Sequence, residues 1–331
     1  MAIAVDAMGG DLGPAEVIKG ALAATKEYGV ETILVGRQPQ IEQELARLDG
    51  VASTIAIVHA DEVVQMHEHA SSAVRTKRSS SIAVGLGLVR EGRAGAFVSP
   101  GNTGAVMATA LFTLGRIRGI ERPALGIVLP TLRGKTLIVD IGANVDCKPS
   151  YLVQFAQMGA VYLNKVFNVS DPSIGLLSIG EEETKGNQLV LEAHELLKGS
   201  GLNFRGNVEG KDIAAGLTDV VVTDGFVGNV VIKSTEGIAH LISTIVQEEL
   251  TRSVFSRLLA LGLLPNLRRI KERLDYAGFG GATLLGVDGV CIIAHGRSNA
   301  KAIKNAIRVA KQAVQQDIVD AIKRGVVREV V

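Results

Sequence analysis

Short apolar runs rich in β-branched residues alternate along the chain with longer segments whose apolar positions recur at helical spacing. Several short runs are apolar throughout, which is typical of strands buried on both faces of a sheet. This alternation predicts right-handed crossovers and a mostly parallel sheet with helices on both faces. We therefore predict one α/β domain over residues 1–331, a three-layer αβα sandwich. The predicted strands are 3–5, 32–35, 55–58, 96–98, 125–129, 137–139, 174–178, 220–223, 283–285 and 290–293. The predicted helices are one that begins at Pro14 and six more over 79–92, 103–115, 149–166, 187–198, 226–250 and 299–323.

One segment departs from this alternation. Residues 236–276 carry helical patterns with no strand between them, which predicts a protruding helical insert. Leucines and arginines crowd its centre, which includes Arg252, Arg257, Leu258, Leu261, Leu264, Arg268 and Arg269. Such a segment either packs on the core or on a second copy of the chain, or lies on a membrane surface with arginines at anionic headgroups.

Charge and composition exclude several classes of protein. A formal net charge of +1 argues against nucleic-acid binding, which needs a basic excess. Two cysteines without CxxC spacing fit a reducing cytoplasm. No run of 18 or more apolar residues is present, so we expect no membrane span.

Glycine, asparagine and aspartate cluster directly after the predicted strands. These loops read DAMGGDLGP from Asp6, SPGNTGA from Ser99, DIGANVDCKP from Asp140, SIGEEETKGN from Ser178 and TDGFVGN from Thr223. Ligands of open α/β sheets bind outside the carboxyl ends of the strands. If the sheet is parallel, all five loops lie at one edge, and we expect the active site there.

The second loop is the best candidate for binding an anion. It comprises Ser99, Gly101, Asn102, Thr103 and Gly104 before a predicted helix. Backbone N–H groups in a glycine-rich turn and at a helix N-terminus favour phosphate. The alternative is an ordinary helix start capped by Asn102 or Thr103. Neither a GxxxxGK[ST] P-loop nor a GxGxxG dinucleotide motif is present in the sequence.

Two further side chains are candidates for catalysis. Lys185 follows a strand and could neutralise a phosphate or an oxyanion, although three glutamates beside it also suit a solvated surface lysine. Asn229 stands near the start of a long helix, where it either polarises a carbonyl or caps the helix.

We expect the aspartates of these loops to anchor the turns and expect no metal, because no tight carboxylate cluster appears in the sequence. His295 is a possible acid–base group. Cys147 is either an acyl-accepting nucleophile or a small buried apolar residue.

Taken together and in this order, VDAMGGDLGP, SPGNTGA, DIGANVDCKP, SIGEEETKGN, TDGFVGN and AHGRSN resemble the phosphate acyltransferases of bacterial phospholipid synthesis. The resemblance runs essentially end to end. It implies a fold like those of isopropylmalate dehydrogenases and phosphotransacetylases, with no cofactor. It also implies transfer of a long-chain acyl group from acyl carrier protein to inorganic phosphate, and the acyl phosphate formed then serves a glycerol-3-phosphate acyltransferase. Members of that family are homodimers that associate peripherally with the membrane.

The resemblance gives the candidate residues roles. The 99–104 loop would help to hold phosphate, Lys185 would stabilise phosphate or oxyanion charge, and Asn229 would orient the thioester carbonyl. The insert arginines would meet either the acidic carrier protein or the membrane. Three alternatives remain: a phosphotransacetylase acting on acyl-CoA, a nicotinamide-dependent hydroxy-acid dehydrogenase, and a non-catalytic scaffold.

Overall fold

A computed structural model describes residues 1–48, 55–253, 262–263, 265–267, 269 and 280–326 of the chain. The strands are β1 Ala2–Asp6, β2 Glu31–Gly36, β3 Ala56–His59, β4 Ala96–Ser99, β5 Ala124–Thr131, β6 Gly134–Val139, β7 Ile174–Leu177, β8 Phe204–Val208, β9 Val220–Val222, β10 Ala282–Leu285 and β11 Val290–Ile293. The helices include α1 Gly13–Tyr28, α2 Gln38–Ala46, α3 Ala70–Thr76, α4 Ser81–Arg90, α5 Thr103–Thr113, α6 Pro149–Phe167, α7 Gln188–Lys198, α8 Gly210–Ala215, α9 Gly225–Thr251, α10 Ala300–Gln315 and α11 Ile318–Val326.

The eleven strands of the described residues form one sheet in the order β3-β2-β1-β4-β11-β10-β5-β6-β9-β7-β8. Most neighbouring strands are parallel, as predicted, but the pairs β11–β10, β10–β5 and β5–β6 are antiparallel. As a result β1 to β5 and β11 point one way, whereas β6 to β10 point the other way. The sheet therefore consists of two parallel halves of opposite direction, joined through the β5–β6 hairpin and β10.

Alternate residues of the strands supply the cores on the two faces of the sheet. Ile3 and Val5 of β1 belong to the core on the face covered by α1, α6, α7, α10 and α11, and Ala4 between them belongs to the core on the face covered by α4 and α5. On this second face, Ile138 and Val221 pack with Ile232 of α9. The predicted three-layer αβα sandwich is confirmed.

Several predicted elements needed correction. β8 was missed because Arg205, Gly206 and Asn207 interrupt its apolar run. Helices α2, α3 and α8 were also missed, and each has fewer than ten residues. The predicted helix 299–323 is two helices, because Asp317 between α10 and α11 has a left-handed φ of 48°.

Candidate active site

The reversal of strand direction divides the candidate loops between two edges of the sheet. The loops after β1, β4 and β11 lie at one edge, which we call the first edge. The loops after β6, β7 and β9 lie at the opposite edge, the second edge, because these strands run antiparallel to the others. The expectation that all five loops share one edge was wrong.

At the first edge, the 99–104 loop is held by a buried hydrogen-bond network. The Ser99 hydroxyl donates to Asp6 Oδ2 at 2.7 Å, and the Gly101 N–H donates to Ser99 Oγ at 3.0 Å. Burial raises the pKa of Asp6 above its usual value, against the opposing effect of the hydrogen bonds that its carboxylate accepts, chiefly from the Ser99 and Ser81 hydroxyls. Ser99 therefore acts as an anchor between the two loops, and its hydroxyl is already engaged.

Asn102 is the N-cap of α5. Its Oδ1 accepts from the Ala105 N–H at 3.0 Å, so the capping interpretation holds for this residue. Its amide also donates to the carbonyls of Met66 and Glu68, at 2.9 and 3.0 Å. Thr103 and Gly104 follow in the first turn, where helix N–H groups have no partner within the helix.

At the second edge, Asp140 organises the turn after β6. Its carboxylate accepts hydrogen bonds from the backbone N–H groups of Leu125, Gly142, Ala143 and Asn144, at 2.8 to 3.2 Å. Desolvation by burial raises the pKa of Asp140 despite these donors. Asp224 caps α9 by accepting from the Val227 N–H at 2.8 Å. The expectation that these aspartates anchor loops is thereby confirmed for Asp6, Asp140 and Asp224.

A crevice opens at the second edge where β7 and β9 lie side by side. The chain leaves β7 for α7 on one face and leaves β9 for α9 on the other, which is the topology that creates ligand sites in open α/β sheets. We call this the switch-point crevice. Its volume is about 380 Å³. It is lined by Leu152, Leu177, Ser178, Ile179, Gly186, Asn187, Val190, Thr223, Asp224 and Val227.

Lys185 and Asn229 belong to the two elements that flank this crevice. Lys185 is exposed in the loop after β7, where its backbone carbonyl accepts from the Ser178 hydroxyl at 3.1 Å. Asn229 is exposed in the second turn of α9, so it does not cap the helix. It packs against Gly142, where a Cβ would lie 3.2 Å from its Nδ2 atom. The structure thus places both predicted catalytic residues at the second edge, apart from the strand ends that carry the 99–104 loop.

Helix α9 connects the two edges. Lys233, one turn beyond Asn229, has its Nζ atom 3.3 Å from Nε2 of His295 in the loop after β11. Glu236 lies 3.9 Å from the same ring nitrogen. Burial and then the charge of Lys233 lower the pKa of His295. Sequence reasoning missed Lys233, although residues four apart on a helix share a face and the spacing from Asn229 was readable.

Cys147 does not have the environment of a nucleophile. Its thiol is half-buried and lies 3.5 Å from the Asn144 carbonyl. Desolvation, with the nearby negative charges of Asp140 and Asp224, raises its pKa to about 12. The thiolate needed for attack is therefore scarce at neutral pH.

Three carboxylates come close together beside the loop after β7. Oxygen atoms of Glu181, Glu209 and Asp212 lie within 4.8 Å of one another. The ammonium group of Lys211 lies 2.7 Å from Glu209 and 3.6 Å from Glu181. The Asp212 carboxylate also accepts from the Glu209 N–H at 2.8 Å. A lysine and a helix cap thus pair with these carboxylates.

The predicted insert is described only in part. Its first residues form the end of α9, and Arg252 and Arg269 are exposed. The predicted contact residues Arg257, Leu258, Leu261, Leu264 and Arg268 lie outside the described residues. In the described ranges, every helix is too short or too polar to cross a bilayer.

Solved structures of related fold come from acyl-transfer enzymes and dehydrogenases. A phosphotransacetylase from Streptococcus pyogenes superposes with a TM-score of 0.63 at 20% identity, covering 95% of this chain and 94% of that one. A 4-hydroxythreonine-4-phosphate dehydrogenase from Klebsiella pneumoniae gives a TM-score of 0.54 at 15% identity, covering 95% and 99%. These similarities establish the fold, as the sequence resemblance implied.

Sequence comparisons identify much closer relatives. Residues 1–321 match the family described as "Fatty acid synthesis protein". A phosphate acyltransferase from Dictyoglomus turgidum is 53% identical over 327 residues, covering 98% of this chain and 97% of that protein. One from Pelotomaculum thermopropionicum is 51% identical over 326 residues, covering 98% and 95%. The chain therefore belongs to the phosphate acyltransferase family of fatty acid and phospholipid synthesis, and it is an acyltransferase.

Proposed function

We propose that the enzyme transfers a long-chain acyl group from the thioester of acyl carrier protein to inorganic phosphate. A phosphate oxygen attacks the thioester carbonyl carbon, the carbon–sulfur bond breaks, and the carrier leaves as a thiolate that takes up a proton. The observation that carries this proposal is the pair Lys185 and Asn229 on the two elements that flank the switch-point crevice. The reaction needs no covalent intermediate, in agreement with the raised pKa of Cys147.

Lys185 and Asn229 are proposed to act on the tetrahedral oxyanion that forms during attack. The Lys185 ammonium supplies positive charge, and the Asn229 amide donates a hydrogen bond to the carbonyl oxygen. Charge and donors fixed before the reaction stabilise the transition state without reorganisation. Holding phosphate beside the thioester supplies the rest of the rate enhancement.

The phosphate is proposed to lie towards the first edge. The loop that carries His295 lies beside the 99–104 loop, because β11 pairs in parallel with β4 and the Ala294 N–H donates to the Ser99 carbonyl at 2.9 Å. Lys233 reaches His295 and stands one turn from Asn229. The N–H groups of Thr103 and Gly104 and the ammonium of Lys233 would then face one anion. Replacing Lys233 with Met should raise the KM for phosphate more than the KM for the acyl donor.

Steady-state kinetics of Lys185→Ala and Asn229→Ala test the catalytic assignment. We expect kcat to fall by about 100-fold or more in each, the scale seen when one oxyanion donor is removed. Lys198→Ala and Asn203→Ala are matched controls, because Lys198 is exposed, Asn203 is partly exposed, and their side chains pair with Glu183 and Asp171 and do not line the crevice. Near-normal turnover of folded Lys185→Ala and Asn229→Ala would refute the assignment.

Incubation with long-chain acyl carrier protein, with and without phosphate, tests the reaction itself. We expect phosphate-dependent loss of the thioester and an acyl phosphate that hydroxylamine traps. Acyl-CoA in place of the carrier protein tests the phosphotransacetylase alternative. Preference for short acyl-CoA would favour that alternative, and no thioester loss with either donor would reject both. Supplying a glycerol-3-phosphate acyltransferase with the product tests the proposed hand-off.

An exposed apolar stripe on α9 supports a contact with a second copy. Ile238, Leu241, Ile242, Ile245 and Val246 recur at helical spacing, and each is 42 to 58% exposed. We propose a homodimer through this stripe, and the double variant Leu241→Glu, Ile245→Glu should then sediment as a monomer.

Peripheral membrane contact is proposed for the insert, where the double variant Leu258→Glu, Leu261→Glu should abolish flotation with anionic liposomes. Unchanged flotation would contradict the membrane contact.

A further inference from the structure

We infer that the switch-point crevice binds the acyl chain of the donor, with the thioester at its mouth beside Lys185 and Asn229. The inference rests on the proposed function, which supplies both the acyl chain and the thioester. The volume of the crevice, about 380 Å³, falls within the range of about 300 to 1,000 Å³ typical of ligand pockets.

The walls of the crevice are apolar and come from three elements. Leu152 of α6 and Leu177 of β7 stand on its inner side, and Val190 of α7 adds a β-branched wall. All three are buried, at 0, 7 and 9% exposure. These side chains are fixed by the packing of the sheet and its helices, so the fold itself sets the shape of the crevice.

The mouth of the crevice exposes apolar surface to solvent. Ile179, in the loop after β7, is 82% exposed, and Val227, in the first turn of α9, is 36% exposed. An exposed apolar rim around a concave site marks a place where an apolar ligand or partner is bound. Here the rim leads directly to buried leucine and valine, which suits an extended chain entering the crevice end first.

Three polar side chains that line the crevice, those of Ser178, Asn187 and Asp224, make local hydrogen bonds. Asn187 Oδ1 accepts from the Val190 N–H at 3.0 Å, and Asp224 Oδ1 accepts from the Val227 N–H at 2.8 Å. The Ser178 hydroxyl donates to the Lys185 carbonyl at 3.1 Å. Two of these groups thus serve as helix caps, and a polar ligand would have to compete with them. Asp224 also disfavours a free carboxylate, so the crevice suits a neutral thioester better than a free fatty acid.

The chain-length dependence of binding follows from this assignment. Each methylene removed from water contributes a factor of about four in affinity. Affinity should therefore rise about fourfold per added methylene until the crevice is filled, and then level off. A phosphate or carrier-protein site elsewhere would give affinities that do not depend on chain length.

Equilibrium binding of acyl-pantetheine thioesters of increasing chain length, without phosphate, tests the inference directly. In Val227→Phe the larger ring narrows the mouth, through which every acyl chain must pass, and we expect the affinity to fall by about tenfold or more for the hexanoyl and the hexadecanoyl thioester alike. Val230→Phe is the matched control, because Val230 is on the same helix, is 51% exposed and does not line the crevice. Equal effects of the two variants would overturn the inference.

Turnover provides a second measurement. Val190→Ala enlarges the crevice, and we expect the chain length of highest kcat/KM to move to longer chains, whereas Val227→Phe should lower kcat/KM at every chain length. If the unmodified enzyme turns over long-chain donors but Val190→Ala leaves the optimum unchanged, the acyl-chain site is refuted and the proposed reaction stands. If the unmodified enzyme binds the thioester series but forms no acyl phosphate, the proposed reaction fails instead.

Discussion

Replacement of Asp140 should show how strongly the turn after β6 depends on one carboxylate. Asp140→Ala removes the acceptor for four backbone N–H groups and for the side-chain amide of Asn144. The Leu125 N–H is buried and loses its partner, which costs about 1–3 kcal/mol. The other three N–H groups are partly buried and can bind water, so each loses less. We expect a total destabilisation of about 3–5 kcal/mol, in the range of broken buried networks.

Asp140→Asn separates the contribution of charge from that of shape. Its amide oxygen can take the place of Oδ1 and accept from Leu125, Gly142 and Ala143, but its NH₂ group then faces the Asn144 donors. A neutral asparagine avoids the desolvation of the buried charge that raises the pKa of Asp140, and this gain offsets part of the lost hydrogen bonding. We therefore expect Asp140→Asn to be less destabilising than Asp140→Ala.

Urea unfolding followed by circular dichroism, at one fixed protein concentration, measures both variants. We expect the midpoint of Asp140→Ala to fall by about 1 M or more. Turnover should fall as well, because Gly142 of this turn packs against Asn229. An unchanged midpoint for Asp140→Ala would refute the reasoning, as would an Asp140→Asn protein less stable than Asp140→Ala.

Three further predictions follow from single contacts. A methyl group at Gly228 would overlap the Asp140 carbonyl oxygen, so Gly228→Ala should destabilise the protein by about 1–3 kcal/mol and lower turnover. Gly237→Ala is the control, because Gly237 is in open space on the same helix and the substitution should not destabilise the protein. Thermal unfolding measures the stability of both variants. Cys147→Ser should retain turnover, and Cys147 should react slowly with iodoacetamide at pH 8, because its pKa is about 12; rapid labelling would contradict this. The pKa of His295 is lower in the folded protein than in the unfolded chain, so the free energy of unfolding should fall as the pH drops through about 6.5. Between pH 7.5 and 5.5, His295→Gln should lose less of its free energy of unfolding than the unmodified protein does. Equal losses in the two proteins would remove that explanation.

The elements were predictable where the apolar pattern is long or uninterrupted. The fully buried runs of β1, β4 and β9, and the helix α6 with proline in its first turn, were found from sequence alone. Strand direction was harder to predict, because periodicity does not encode it. The signal was nevertheless present at β5 and β6: two apolar runs follow each other with no helix between them, and Gly134 at the turn has a φ of +137°.

The residue types in the loops predicted which side chains anchor the candidate site, whereas the topology of the sheet decides which loops lie together. Asp6, Asp140 and Asp224 anchor turns as expected, since an aspartate after a strand meets the free N–H groups of its own loop. The division of the loops between two edges could not be read from those residues, because it depends on the pairing of β10 with β5 and β11. The Lys233–His295 contact was hidden for the same reason, as it joins residues 62 positions apart.

The place of β11 in the sheet has a consequence for the order in which the chain folds. β11 lies between β4 and β10, and α10 packs on α1, where Gly20 meets Ile303. The strands β6 to β9 come from one continuous stretch and can pair as soon as that stretch has been synthesised. The half of the sheet that contains the amino terminus, by contrast, keeps β4 as an open edge until residues near 293 are available. Although synthesis begins with β1, this half of the sheet can be completed only after the other half has been made.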